Sequence, residues 1–97
     1  MSEIITALAV VDELASDDGV LVLVETRGAH RVVRLSVLGQ AIRELAADGI
    51  TLGSLIAGLE ARFGPAGEES TQIVTRAVAA LESDGLVSRH PRTHANG

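Results

Sequence analysis

The residues best equipped for chemistry are three histidines, a set of carboxylates and a scatter of serines. His90 and His94 stand four apart, the spacing at which a helix presents two imidazoles to one metal ion. Pro91 lies between them, however, and the surroundings are polar, so no helix is expected there. His30 falls in or beside a turn and reads as a surface residue. Asp17-Asp18 and Glu68-Glu69 are adjacent pairs, and neighbours on a helix or strand point apart rather than at one substrate. Ser36, Ser54, Ser70 and Ser83 have no histidine and aspartate arranged to activate them. Gly49-Ile50-Thr51-Leu52-Gly53 lacks the later glycine, the preceding strand and the lysine of a phosphate-binding loop. Cysteine is absent, which removes thiolate ligands and nucleophiles. The expectation is a protein without catalytic residues, metal or cofactor. Whatever it does, it does with backbone and apolar surface.

Charge and composition narrow the partners. The 97 residues carry a net charge of −5, and every basic side chain is arginine. An acidic chain is a poor match for phosphate, so nucleic acid is not the expected partner. Phe63 is the single aromatic residue, which leaves no stacking platform for bases. No apolar run approaches the ~20 residues of a membrane span, and no signal peptide is evident at the N-terminus. With no cysteine, a cytoplasmic location is expected.

The elements that must position any site divide into a β-rich first third and a helical remainder. Ile4 to Leu14 is apolar with no clean period. Ser16-Asp17-Asp18-Gly19 is a turn signal. Val20 to Val24 reads as a strand covered on both faces, and Arg31 to Leu35 as its hairpin partner across Arg27-Gly28-Ala29-His30. Two strands alone are marginal, so a third is needed, and Val10 to Ala15 is the candidate. Ser36 and Thr51 are helix N-caps. Leu38, Ala41, Ile42 and Leu45 form one apolar face; Leu52, Leu55, Ile56, Leu59 and Phe63 form another. Gly64-Pro65 ends the second helix. A third helix carries Ile73, Val74, Ala77, Val78, Ala80 and Leu81, and closes at Asp84-Gly85-Leu86. The expected fold is α+β: a three-stranded antiparallel sheet followed by a three-helix bundle, winged-helix-like, over residues 1–88. Residues 89–97 read as a disordered tail.

In this order the chain resembles the PqqD-like family, the RiPP recognition elements that serve ribosomally made, post-translationally modified peptides. The resemblance spans roughly Val10 to Val87. It rests on Leu35-Ser36 at the step into the first helix, Asp48-Gly49-Ile50-Thr51 before the second, Arg62-Phe63-Gly64 at its end, and Leu81-Glu82-Ser83-Asp84-Gly85-Leu86 closing the third. Ser36 replaces the family's usual asparagine, and the aromatic often found in the third strand is missing. The resemblance implies a stand-alone module that binds the leader of a precursor peptide as an added strand, between the third strand and the third helix. It would present that peptide to a modifying enzyme or a leader peptidase.

Carried onto this chain, the family's site implies Arg31, Val32, Val33 and Arg34 on the strand side, and the third helix opposite them. Helical periodicity makes Val74, Ala77, Val78 and Leu81 the core stripe of that helix, with Ile73 and Ala80 on an apolar flank and Arg76 at its margin. Ile73, Ala77 and Ala80 are thus the expected peptide contacts. The alternative is that Ile73 and Ala80 are ordinary core. Arg31, Arg34 and Arg76 could form a basic rim for an acidic leader, or could be solvated charges that discourage edge pairing.

Two other functions use the same elements. One is a winged helix that binds nucleic acid; against it stand Glu69, Glu82 and Asp84 on the third helix, and strands that precede every helix. The other is a small adaptor subunit that binds a folded partner.

Overall fold

The computed structural model describes residues 3–17, 19–65, 67 and 69–91. Six strands and three helices run in the order β1 (Glu3–Ala7), β2 (Asp12–Ser16), β3 (Gly19–Thr26), β4 (Ala29–Leu35), α1 (Val37–Leu45), β5 (Ile50–Thr51), α2 (Leu52–Phe63), α3 (Glu69–Ser83) and β6 (Val87–Pro91). The α+β class and the three helices are as expected. The single sheet is not: two three-stranded antiparallel sheets are present, ordered β2-β3-β4 and β5-β1-β6.

The first sheet is the expected one. Val20, Val22 and Val24 pair with Leu35, Val33 and Arg31 across the β3–β4 hairpin. Arg27 and Gly28 both take positive φ, +54° and +82°. That is the backbone of a tight hairpin turn whose twist matches its strands. At the β2–β3 turn Gly19 has φ +135°, and a Cβ there would run into the carbonyl oxygen of Leu35. A side chain is therefore excluded on two counts, backbone conformation and space.

The second sheet corrects two expectations. β1 lies at its centre and uses the Ile4–Ala7 stretch that showed no period; Ile5 is fully buried. Its neighbour β6 extends to Pro91, so Arg89, His90 and Pro91 form a strand rather than a disordered tail. Neither strand is self-evident in isolation, because each is stabilised by pairing with the other over Glu3↔Pro91 to Ala7↔Val87. One strand therefore follows the helices, which removes the argument that all strands precede them.

The helix ends follow the local sequence. The Ser36 hydroxyl accepts from the Gly39 amide at 3.1 Å, and Thr51 does the same for Ser54 at 3.2 Å. α3 closes with the Leu86 amide on the Leu81 carbonyl and the Gly85 amide on the Glu82 carbonyl, a Schellman motif. Leu86 is thereby turned into the core, where it is fully buried.

The core is one cluster. Ile42, Leu55, Val74, Val78, Leu81 and Leu86 meet Ile5 and Val87 from the small sheet and Val22, Val24 and Leu35 from the larger. Burying such side chains is the main favourable term in holding the layers together, at about 1.5–3 kcal/mol each. β3 is buried on one face only. Val22 and Val24 are 1% and 3% exposed, whereas Leu21 and Leu23 on the other face are half-buried and belong to no core cluster. The expectation of two covered faces fails because no described element packs on the outside of this sheet.

Candidate functional site

Only one edge of β4 is used in the sheet. β3 occupies that edge, and no described strand pairs with the other. A strand in this position holds main-chain N–H and C=O groups ready for an extended guest. Opposite it runs α3, and between them lies a cleft of about 210 Å³ lined by Val33, Arg34, Leu35, Ala77, Ala80 and Leu81. Ser36, Gly39 and Asp84 complete its walls. Gly39 is buried at the first turn of α1, where a Cβ would stand 3.5 Å from Leu35 Cδ2 and 3.7 Å from Leu81 Cδ2. Gly39 thus lines the cleft with no side chain of its own between Leu35 and Leu81.

A second hollow of about 480 Å³ continues past Asp84, lined by Ala29, Arg31, Glu82, Ser83, Asp84 and Gly85. The two share Asp84 and together follow the strand from Ala29 to Leu35. At their junction Arg31 reaches across. Its Nη2 donates to the Asp84 carbonyl at 3.1 Å, and the Asp84 carboxylate is 3.5 Å away. That carbonyl lies at the C-terminal end of α3, where unpaired carbonyls and the helix dipole favour a cation.

The expected contacts divide as follows. Arg31, Val33, Arg34, Ala77 and Ala80 line the strand–helix hollows. Arg31 and Arg34, three apart on a strand, fall on opposite faces. Arg31 shares the inner face with Val33 and Leu35; Arg34 shares the outer face with Val32, which is 67% exposed. Arg31 and Arg34 thus border the joined hollows from opposite faces of β4. Arg76 is exposed and lines neither hollow. Ile73, 42% exposed, belongs to a separate apolar pocket of about 270 Å³ with Leu38, Ile56, Leu59, Phe63 and Val74. The buried stripe of α3 is Ser70, Val74, Val78 and Leu81. Ser70 is the residue sequence periodicity missed: its hydroxyl donates to Glu60 Oε2 at 2.9 Å and ties α3 to α2.

Glu44 is held below the usual carboxylate range, first by its hydrogen bond to Arg62 at 2.8 Å, which outweighs an opposing cost of desolvation. It lies on α1, away from the cleft. No group of three or more metal-ligating side chains occurs among the described residues. His94 lies outside them, as do Asp18 and Glu68, so those pairings have no structural account. No described helix is long and apolar enough to cross a membrane. Comparison with family models, with curated proteins and with solved structures finds no match to this chain.

Proposed function

We propose that this protein is a peptide-binding module of the RiPP recognition element kind. It would capture the leader of a precursor peptide as a strand added to β4 and held against α3. The observation that carries this reading is the pairing of an unused strand edge with a cleft beside it. Main-chain bonds to β4 supply affinity without regard to sequence, and the hollows between Val33, Ala77 and Ala80 supply the choice of side chains. The cleft is preformed, so little ordering is needed on the protein's side. In this reading the module transforms nothing itself. It holds the leader while a modifying enzyme or a leader peptidase acts on the rest.

The test is selection from a displayed library of random linear peptides, followed by hydrogen exchange on the protein with and without the selected peptide. The expected result is slowed exchange confined to β4 amides and to α3 from Ala77 to Asp84. Failure to select any peptide, or protection elsewhere on the surface, would refute the reading.

A further inference from the structure

The outer face of the β2-β3-β4 sheet has a composition unlike the rest of the surface. Register places Leu14, Leu21 and Arg34 in one row across the three strands, and Asp12, Leu23 and Val32 in the next. Leu14 and Val32 are 65% and 67% exposed, the two highest values among the large apolar side chains described. They occupy opposite corners of this block of six, with Leu21 and Leu23 between them. Arg34 and Asp12 hold the other two corners. Neither has an ion-pair partner among the described residues.

That layout is self-complementary. A two-fold axis along the Leu14–Val32 diagonal, parallel to the sheet, lays one copy on another with strands crossing near right angles, an established mode of sheet packing. The operation brings Leu21 and Leu23 of both copies together at the centre. It also exchanges the charged corners, so each Arg34 meets the other copy's Asp12. An isologous interface needs this property, that every group on the patch find its complement on the same patch.

We infer that this face associates with a second copy of the chain, Arg34 of each pairing with Asp12 of the other around an apolar centre. The interface uses the outer face of the sheet and shares Arg34 alone with the lining of the peptide cleft, so association is read by mass, without reference to peptide binding. The contact is small, and weak association is expected from its size.

Sedimentation equilibrium over roughly 10 μM to 1 mM tests it, a range suited to weak contacts. The apparent mass should rise from 10.0 kDa toward twice that value. Arg34→Asp and Asp12→Arg should each weaken association by about tenfold or more, and the two together should restore it to within about threefold. Leu14→Lys with Val32→Lys should abolish it; both side chains are exposed, so circular dichroism should show the fold unchanged. A monomer at every concentration overturns the inference. So does a dimer indifferent to Leu14→Lys and Val32→Lys, which would point to edge-to-edge pairing, or a double charge swap that fails to rescue.

Discussion

The Arg31 guanidinium spans the cleft to the last turn of α3, donating to the Asp84 carbonyl at 3.1 Å with the Asp84 carboxylate at 3.5 Å. The arginine best placed to meet an acidic guest is therefore already occupied by an acid of its own chain. An incoming carboxylate must compete with Asp84. Asp84→Asn keeps the carbonyl bond and removes the competing charge. It should raise affinity for an acidic peptide several-fold over its amide analogue, read by fluorescence anisotropy at low salt. Arg31→Ala should remove the preference for the acidic form. Equal affinity for both forms in the parent and in both variants would show that Arg31 takes no part in recognition.

Ala80 and Ile73 separate the cleft from its neighbour. Ala80 is exposed and lines the space beside β4; Ile73 lies nearly two turns earlier on α3, in the pocket under Phe63. Ala80→Trp should fill the cleft and cut peptide affinity by more than about tenfold, since a blocked cleft loses its contacts outright. Its effect on the melting temperature should be small because nothing in the core moves. Ile73→Asp should weaken binding only of peptides long enough to pass Leu35. The reverse pattern would move the site to the α2–α3 pocket.

The parts of this fold that sequence makes legible are those set by near neighbours. Ser36, Thr51 and the Asp84-Gly85-Leu86 stop each act within a few residues, and each is found where local chemistry puts it. The β3–β4 hairpin is legible for the same reason. β1 and β6 are not, because Ile4–Ala7 and Val87–Pro91 become strands only by meeting each other across most of the chain. The uncovered face of β3 is hidden too: Val20 to Val24 is apolar at every position, and such a run does not say which face lacks a partner. The opposite directions of Arg31 and Arg34, by contrast, follow from strand alternation alone.

Two glycines should respond in opposite ways to alanine. Gly19 has positive φ, and its missing Cβ would strike the Leu35 carbonyl. Gly19→Ala should cost more than about 2 kcal/mol and loosen the β2–β3 turn. Gly53, in the first turn of α2, has open space around its Cβ position. Gly53→Ala should stabilise by about 0.5 kcal/mol, chiefly by restricting the unfolded chain. Urea unfolding of both variants measures the difference, and a stable Gly19→Ala would mean that the turn rearranges.

Glu44 gives the acid side of the stability profile one identifiable contributor. Its carboxyl sits below the ordinary range because Arg62 Nη1 donates to Oε1 at 2.8 Å. A group whose folded pKa is depressed adds stability that is present above its unfolded value, and loses it as pH falls through the folded value. The pair is exposed and joins α1 to α2, so salt should screen it. Carboxyl NMR titration should find Glu44 lowered at low ionic strength, moving back toward the ordinary range in high salt and in Arg62→Gln. In Arg62→Gln the parent's loss of stability on acidification should also become shallower, because the native state no longer holds that carboxylate ionised. A Glu44 titration unchanged by Arg62→Gln would assign the shift to the weaker Gln40 contact instead.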